Sequence, residues 1–483
     1  MLGFLKFIFI FLAACLLYSC EKEGSEEANQ LPDTFFSLKE INLSGDKRLN
    51  SIVRLNWFGT DPDGYIKGYE LSFDQLEWEF TEAQDSTFRF SLSINTDTAD
   101  INIFVRAIDN ENGADPSPAS IVVPIKNTPP EVSFDEKLSI PDTSFLVATT
   151  AWNASDLDGE ETIQQVLISL DKKNWEEINF SQKTFSIAPA DPFLTDTTES
   201  LIYFGTSSQP AVQRLKGLAL NDTNKIYIKV IDQAGAESEI DSTSTFFMKP
   251  QRNSTLVVGG LSAADQVYRQ SLQAININYD FLNLTANNGQ NLPKVWNITF
   301  RLQLSFYDKL FLYSDESLFT NTFTGVKKMI LEFAASSLQE YANSGGKYFI
   351  STSFNHSTPI EGFAGVLPIA SLSTENFGSA RFFQDSVAFS NLAEFPDLNP
   401  SNFVLLGPTV FEIDSADTEV LYQANLSKSR PDVAWEDTKI VASGRRVNGK
   451  LNQVFFSLQL WELNGNPSAL QDLFDQILNK EFN

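Results

Sequence analysis

The fold of the N-terminal half is decided by the stretch Trp57–Gly64, which reads WFGTDPDG. The same spacing returns at Trp152–Gly159, which reads WNASDLDG. In each copy a strand bearing the Trp runs into an Asp-x-Asp-Gly turn, where Asp caps backbone amides and Gly supplies a positive φ. Two copies of this pattern predict an internal repeat of related β modules.

Two more blocks repeat in the same order around this stretch. Ser72–Trp78 (SFDQLEW) is matched by Ser169–Trp175 (SLDKKNW), and Ile103–Asp109 (IFVRAID) by Ile226–Asp232 (IYIKVID). The runs within them alternate apolar and polar residues, as in half-buried strands of an antiparallel sandwich.

Both copies resemble fibronectin type III or PKD-like modules, which are immunoglobulin-like sandwiches. The resemblance implies two all-β domains, at residues 34–126 and 127–250, joined at the consecutive prolines Pro129 and Pro130. Consecutive prolines stop strand pairing and stiffen a joint. Residues 191–215 form an insertion in the second copy with no counterpart in the first.

The pattern changes at about Asn253. A continuous apolar run, Ser254–Gly260, precedes a helical pattern, and further helices are predicted at Gly325–Ser344 and Pro467–Lys480. Buried strands that alternate with helices predict an α/β domain with a mostly parallel sheet, here at residues 253–483. The expected fold class is therefore multidomain, with two sandwiches followed by this α/β domain.

The order of elements and the stretch Gly345–Ile350 (GGKYFI) resemble the class I glutamine amidotransferase-like fold. In that family the strand after the glycines leads into an elbow that bears a nucleophilic cysteine. The corresponding turn here, Ser351–His356, reads STSFNH and contains no cysteine. The resemblance therefore implies a scaffold that lacks the thiol, and glutamine hydrolysis is excluded.

The N-terminus has the pattern of a secretory signal. An apolar run, Phe7–Leu17, follows Lys6 and is too short to span a bilayer comfortably. Its end, Ser19-Cys20, resembles the bacterial lipobox. The resemblance implies a signal peptide at residues 1–19, lipid on Cys20 and a tether at residues 20–33.

The acidic stretch after the cysteine, Glu21–Glu27, resembles the export signal of surface lipoproteins in Bacteroidetes-type bacteria. That resemblance implies an outer-membrane protein held by its lipid and facing the cell exterior. The alternative is that this stretch is only a soluble linker.

Composition excludes several classes of site. The chain has 35 Lys+Arg against 62 Asp+Glu, a net charge of −27, which disfavours binding to nucleic acid. Its two cysteines, Cys15 and Cys20, lie in the signal and lipobox, so the mature body has no thiol. With one histidine, zinc sites built from Cys or His are excluded as well.

Oxygen nucleophiles remain as candidate catalytic groups. Ser353 and His356 lie in one loop and are a possible nucleophile and base, but no Gly-x-Ser-x-Gly elbow frames the serine. Asp315 and Glu316 follow a predicted strand and are a possible pair of catalytic carboxylates. The alternative for His356 is a solvent-exposed loop position.

Calcium is the one cofactor that the sequence leaves open. The turns of each sandwich that emerge at the same end carry carboxylates, which calcium prefers as ligands. The alternative is that these side chains cap backbone amides. The candidate ligands are Asp61, Asp63, Asp109, Glu111, Asp156, Asp158 and Asp232.

The repeated tryptophans have two interpretations as well. Trp57, Trp78, Trp152 and Trp175 recur in both copies, which favours core positions over a platform for sugar rings. Gly259-Gly260 could cradle a phosphate at a helix N-terminus or serve as a packing turn.

We therefore expect a lipid-anchored, non-enzymatic envelope protein. It would bind a glycan, peptide or protein partner through its sandwiches and through the crevice at the carboxyl ends of the α/β strands. The alternative is a surface hydrolase that uses Ser353 or the carboxylates Asp315 and Glu316.

Overall fold

The computed structural model describes residues 28–483 except 39, 42, 287–291, 355–357, 359, 364, 374–379 and 414–416. The chain forms two compact units: residues up to 128 together with 157–159, and residues 129–156 with 160–483. Within the described residues, no helix has the length and apolar character that crossing a membrane requires. The domain boundaries expected from the sequence stay predictions.

The first unit contains a β-sandwich of two antiparallel sheets, with strand orders β1-β2-β5 and β4-β3-β6-β7. Along β2 buried and exposed residues alternate, so that Val53, Leu55 and Trp57 enter the core. They pack there against residues of the other sheet, such as Val105 on β6. The strands are β1 (Asp33–Phe36), β2 (Ile52–Thr60), β3 (Ile66–Ser72), β4 (Glu79–Thr81), β5 (Asp85–Arg89), β6 (Thr98–Asp109) and β7 (Ala119–Lys126).

The second sandwich repeats this architecture and adds to it. Its sheets have the orders β15-β14-β13-β10-β8, β12-β11-β17-β18 and β16-β19-β9. Most of the 191–215 insertion lies in β14 and in the turn to β15, which extend the first of these sheets by a hairpin. The strands are β8 (Glu131–Phe134), β9 (Thr143–Phe145), β10 (Ala148–Ser155), β11 (Ile163–Ser169), β12 (Glu176–Ile178), β13 (Thr184–Pro189), β14 (Thr197–Phe204), β15 (Arg214–Ala219), β16 (Asp222–Asn224), β17 (Tyr227–Asp232), β18 (Asp241–Ser242) and β19 (Phe246–Lys249).

The loop after β3 shows why the block SFDQLEW has its spacing. Asp74 Oδ1 accepts hydrogen bonds from two backbone N–H groups, of Leu76 (2.8 Å) and Glu77 (3.1 Å). The indole N–H of Trp78 donates to the carbonyl of Gln75 at 3.2 Å, and Gln75 has a φ of 62°. Asp, a residue in the left-handed conformation and Trp thus close one compact turn.

The second copy, after β11, reproduces the loop contact by contact. Asp171 Oδ1 accepts from the N–H groups of Lys173 and Asn174, both at 2.8 Å. Trp175 donates to the carbonyl of Lys172 at 3.2 Å, and Lys172 has a φ of 61°. The sequence repeat is therefore a repeat of hydrogen-bond geometry as well.

The four repeated tryptophans do not all lie in the core, which corrects the expectation. Trp57 and Trp152 are buried at 1% and 0% exposure. Trp78 and Trp175 are only half-buried. Each lies under a cation from the neighbouring strand: the Arg106 guanidinium is 4.1 Å from the Trp78 ring centroid, and the Lys229 ammonium is 5.2 Å from that of Trp175. They belong to cation–π pairs on the surface.

The C-terminal region has four α-helices among its described residues: α1 (Asp265–Ala274), α2 (Trp296–Leu304), α3 (Ile330–Asn343) and α4 (Pro467–Asp475), the last continuing as a π-helical segment, Gln476–Glu481. The strands are β20 (Thr255–Gly259), β21 (Asp280–Asn283), β22 (Lys309–Tyr313), β23 (Leu318–Thr320), β24 (Lys327–Met329), β25 (Lys347–Ser351), β26 (Ser371–Leu372), β27 (Ala380–Phe383), β28 (Ala388–Ser390), β29 (Val404–Leu406), β30 (Phe411–Glu412), β31 (Thr418–Ala424), β32 (Ser427–Lys428), β33 (Ile440–Val447) and β34 (Lys450–Phe456).

The central sheet of this region has the order β21-β20-β22-β25-β34-β33-β31-β28. The first five strands pair in parallel, as expected, but β33, β31 and β28 pair antiparallel. The expectation of a mostly parallel sheet therefore holds for one half only. The turn Asn448-Gly449, in which both residues have positive φ, lets β33 and β34 form a hairpin and reverses the direction.

Helices cover both faces of this sheet. Along β22, Phe311 packs with residues of α1 and α4, whereas Leu310 and Leu312 pack with residues of α2 and α3. The helix predicted at Gly325–Ser344 begins later, at Ile330, because residues 327–329 form a strand. Its predicted end is confirmed: Gly345 has a φ of +89°, the left-handed conformation that glycine adopts without strain.

The second sandwich and the C-terminal region share one apolar core. Phe145, Val147 and Tyr203 of the sandwich belong to the same buried cluster as α2 and α3. Between the first two, Leu146 is fully buried with a φ of 63°, and the N–H of Val147 donates to the carbonyl of Phe145 at 2.8 Å. A left-handed leucine costs of order 1–2 kcal/mol, which the burial of its side chain offsets.

We predict that Asp171→Asn lowers the melting temperature at neutral pH and that this difference shrinks in acid. The N–H groups of Asn174 and Lys173 hold the pKa of Asp171 well below its usual range. A depressed pKa stabilises the fold above the unfolded pKa of about 3.9, and this stabilisation is lost as the pH falls below it. Thermal unfolding followed by circular dichroism between pH 7 and pH 3 measures the effect.

The exposed Glu199 on β14 provides the control. Glu199→Gln is expected to change the melting temperature little at any pH. A difference between wild type and Asp171→Asn that stays constant with pH would contradict the role given to the ionised carboxylate.

Candidate functional site

The parallel strands end in one row on the crevice side of the sheet. Gly259, Tyr313, Ser351 and Phe456 are register partners across β20, β22, β25 and β34. The ladder continues one residue further, since the N–H groups of Gly260, Ser314 and Thr352 donate to the neighbouring strands at 2.7, 3.1 and 3.0 Å. Residues that follow each strand are thereby held side by side, where α/β sheets bind ligands.

Gly260 closes one side of this edge. A Cβ atom at Gly260 would lie 2.7 Å from Ile330 Cδ1 and 2.9 Å from Ser314 Cβ, so the position excludes larger residues. Of the two interpretations of Gly259-Gly260, the packing turn matches these contacts.

A buried layer of hydroxyl groups supports the strand ends. Ser351 is fully buried: its Oγ donates to the Leu458 carbonyl at 2.8 Å and accepts from the Leu460 N–H at 3.2 Å. The Tyr268 hydroxyl lies at the same place and accepts a hydrogen bond from the backbone N–H of Trp461 at 3.1 Å. Burial raises the pKa of Tyr268, so this hydroxyl stays protonated and neutral.

Above this layer three polar side chains from three different strand ends meet. The Ser353 hydroxyl donates to the Glu316 carboxylate. The Gln459 side-chain N–H₂ donates to Ser353 Oγ at 3.3 Å and to the Ser314 carbonyl at 2.5 Å. We call Glu316, Ser353 and Gln459 the crevice cluster.

Two buried polar atoms beside the crevice cluster have no hydrogen-bond partner among the described residues. They are Oε1 of Gln459 and the indole Nε1 of Trp461. A buried polar group without a partner costs about 1–3 kcal/mol. Both atoms are shielded from solvent, so a ligand could bind them only if the side chains around them moved.

A second carboxylate lies near the crevice cluster. Burial raises the pKa of Glu462, and the negative charge of Glu316 raises it further. Two carboxylates that interact in this way favour hydrogen-bond donors or cations as neighbours.

The predicted catalytic residues are only partly brought together. Ser353 and Glu316 are in contact, a pairing that the sequence did not predict. Asp315 instead accepts from the N–H of Ser317 at 3.0 Å, as a turn cap. His356 lies outside the described residues, as does Cys20, so their roles stay predictions.

In the first sandwich the acidic turns lie near one another. Burial raises the pKa of Asp61, and the charges of Asp63 and Asp109 contribute to the rise. Asp109 is fully buried: burial would raise its pKa, but hydrogen bonds from Asn29 (2.7 Å) and from the backbone N–H of Gly113 (2.7 Å) hold it below its usual range. Asp63 accepts from the Gln30 N–H at 2.9 Å.

Of the four remaining calcium candidates, the three aspartates also bind protein groups. Glu111 is exposed. Asp156 accepts from the Thr162 hydroxyl at 2.8 Å, and Asp232 from the Ala236 N–H at 2.8 Å. Asp158 accepts from the Ser51 hydroxyl and from the Thr128 N–H.

Those contacts match the alternative expectation, that the acidic side chains cap backbone and hydroxyl donors. In the part of the chain that the structure describes, no group of three or more His, Cys, Asp or Glu side chains is arranged to hold a metal ion. Calcium binding stays a prediction.

Sequence reasoning missed Gln459, Trp461 and Glu462. They follow β34, about a hundred residues after Ser353, and no short motif links them. The available signal was the predicted late strand, because in a parallel sheet the residues after every strand share one edge.

Comparisons with known proteins place the chain in no family. No protein-family model matches it, and no curated protein does. Solved structures that are similar include the fibronectin(III)-like modules of Clostridium thermocellum CbhA, at 14% identity over 45% of this chain and 94% of that one, with a TM-score of 0.15.

Two further structures are similar over about the same share of this chain. A two-domain fibronectin type III segment of chicken tenascin matches at 13% identity, covering 46% of this chain and 99% of that one, with a TM-score of 0.22. Bacteroides ovatus SGBP-B, solved with a mixed-linkage heptasaccharide, matches at 9% identity, covering 48% and 52%, with a TM-score of 0.15. At such low TM-scores we draw no conclusion from them.

We predict that Ser351→Ala destabilises the protein by about 1–3 kcal/mol, because it leaves the Leu458 carbonyl and the Leu460 N–H buried without this partner. Denaturation in urea measures the change in the free energy of unfolding. The half-buried Ser353 is the matched control: Ser353→Ala is expected to stay within about 0.5 kcal/mol of wild type. Equal costs for the two variants would contradict the supporting role of Ser351.

Proposed function

We propose that this protein is a lipid-anchored component of a bacterial cell envelope that binds a glycan in the crevice of its α/β domain. Lipid on Cys20 would attach it to the outer membrane with its body facing the exterior, as the lipobox and the acidic stretch after it suggest. The α/β domain would be an amidotransferase-like scaffold without the catalytic cysteine, and the sandwiches would act as a stalk and a further contact surface.

The proposed binding function rests on the hydrogen bonds that the Ser353 hydroxyl makes. Its proton points to Glu316 and its oxygen accepts from Gln459, so both hydrogen-bonding capacities are engaged. The Glu316 side chain is exposed, and water therefore solvates its carboxylate. An exposed and hydrated carboxylate accepts hydrogen bonds from a ligand, which suits a binding role.

A glycan fits the donors and acceptors at this edge better than an apolar ligand does. Each sugar hydroxyl both donates and accepts, which matches the exposed carboxylate of Glu316 and the hydroxyl of Ser353 beside it.

One observation favours a second function, a surface hydrolase. A serine nucleophile needs a base within hydrogen-bond distance, and the hydrogen bond from Ser353 to the Glu316 carboxylate meets that requirement. In that case Ser353→Ala would abolish turnover of ester or glycoside substrates by the purified protein. Activity that persists in this variant would exclude Ser353 as the nucleophile.

We predict that labelled palmitate enters the wild-type protein in its bacterial host and does not enter Cys20→Ala. The chemical reason is that the lipobox cysteine is the acceptor of the acyl chains, and two or more chains anchor a protein stably. Gel autoradiography with membrane fractionation measures both properties. Cys15→Ala is the control and should be labelled like wild type, and equal labelling of Cys20→Ala would contradict the anchor.

We predict that the full-length protein binds polysaccharides on an array and that Glu316→Gln and Gln459→Met each weaken binding about tenfold or more. Loss of one hydrogen bond to a ligand, about 1.4 kcal/mol, corresponds to a tenfold change in Kd. The control Glu199→Gln removes a carboxylate from the second sandwich and should bind as wild type does. An array on which no glycan binds, or on which the crevice variants bind normally, would contradict this site.

A further inference from the structure

The segment that leads into β1 is fixed to one end of the first sandwich. The side-chain amide of Asn29 donates to the Asp109 carboxylate at 2.7 Å. The backbone N–H of Gln30 donates to the Asp63 carboxylate at 2.9 Å. The sandwich therefore holds the chain from Asn29 onward. We call the end of the sandwich that carries Asp63 and Asp109 the tethered end.

The stretch of chain between the proposed lipid on Cys20 and this fixed point is short. Nine peptide steps lead from Cys20 to Asn29, and fully extended they span at most about 30 Å. The tethered end would thus stay close to the membrane surface that holds the lipid. A short linker of this kind gives effective concentrations in the millimolar range, at which weak contacts form.

Apolar side chains are exposed at the tethered end. Phe35 on β1 and Phe58 on β2 are register partners on the outer face of their sheet, where their rings stack with centroids 5.3 Å apart. They are 45% and 44% exposed. Leu31, just before β1, and Tyr65, just after the turn that contains Asp63, are exposed as well. Aromatic and leucine side chains are favoured where lipid headgroups meet water.

We propose that the Phe35–Phe58 pair lies on the surface of the membrane that holds the lipid anchor, so that the bilayer contacts the first sandwich at its tethered end. This inference rests on the lipid anchor proposed for Cys20. The short tether keeps the pair within reach of the bilayer, and the two rings supply the apolar area that enters the headgroup region. Because Asp33 and Asp63 are exposed at the same end, the surface that fits is zwitterionic and not anionic.

The test places a nitroxide spin label on the full-length lipidated protein, bound to vesicles of phosphatidylcholine and phosphatidylethanolamine. The label is attached through Thr60→Cys, an exposed position on the same face of β2 as Phe58. The reference label is attached through Glu77→Cys, in the exposed loop at the other end of β3 from the tethered end. Both proteins also carry Cys15→Ala, so that the introduced cysteine is the thiol that reacts.

Power-saturation electron paramagnetic resonance compares collisions of each label with oxygen, which concentrates in lipid, and with a nickel chelate, which stays in water. A side chain that enters the headgroup region gains the first and loses the second. On vesicles we expect the ratio of oxygen to nickel collisions to be at least about twofold higher for the Thr60 label than for the Glu77 label. Equal ratios at the two positions overturn the proposal.

Matched variants show whether the aromatic ring makes the contact. Phe58→Ser should bring the ratio at the Thr60 label down to that at the Glu77 label. Phe58→Trp keeps an aromatic ring suited to the interface and should retain the contact. Phe80 is the control, because it is 48% exposed but lies on β4 of the other sheet. Phe80→Ser should leave the ratio as in wild type, and equal effects of Phe58→Ser and Phe80→Ser contradict the contact.

Flotation of the vesicles separates this proposal from the anchor on which it rests. Protein that floats with the vesicles while the Thr60 label shows no rise keeps the anchor and overturns the membrane contact. Protein that does not float overturns both. A fall in both collision rates at Thr60 would mean that protein covers the pair, as a second copy of the chain would, and this also overturns the proposal. Glycan binding in the crevice is measured separately on the array.

Discussion

The burial of one apolar cluster, to which the second sandwich and the C-terminal region both contribute, is the constraint on which the rest of the larger unit depends. Phe145, Leu146 and Val147 enter the layer that also holds α2 and α3, and α2 in turn supports the parallel strands. Polar contacts fix the register of this packing, such as the Thr149–Thr299 hydroxyl pair at 2.7 Å and the Arg301 bond to the Thr206 carbonyl at 2.9 Å. Apolar burial supplies the stability and these directional bonds set the geometry.

The positions of the side chains in the crevice depend on that core. Side chains at strand ends are only as well placed as the strands, and here each strand is packed on both faces. The buried hydroxyl of Ser351 then links β25 to the turn after β34, so that Gln459 and Ser353 arrive at one point although they are far apart in sequence. Polar side chains held by such a rigid support lose little entropy when they bind another group.

The sequence predicted the parts of the fold that local chemistry determines. The Trp, Asp and Gly of the repeated blocks revealed the sandwiches, since each is required by a particular turn or core position. The sequence did not predict that Trp78 and Trp175 lie under cations. The alternation of apolar and polar residues along a strand does not show which side chains a neighbouring strand places over it. The antiparallel half of the sheet was missed for a similar reason: β33 and β34 form a hairpin and β31 pairs with β33 through bulges, and pairing direction leaves no mark on apolar periodicity. Gln459 was missed because its hydrogen-bond partners, Ser314 and Ser353, are far from it in the sequence and meet it only in the folded structure.

Because of the shared core, the two copies of the repeat differ in how separable they are from the rest of the chain. The first copy closes a core of its own, whereas the second has part of its surface in the interior of its neighbour. A recombination event that moved the first copy would carry a closed apolar core with it. An event that moved the second copy would expose Phe300, Leu302 and their apolar neighbours. The protein left behind would therefore be prone to aggregation. Sequence similarity between the copies thus does not make them interchangeable parts.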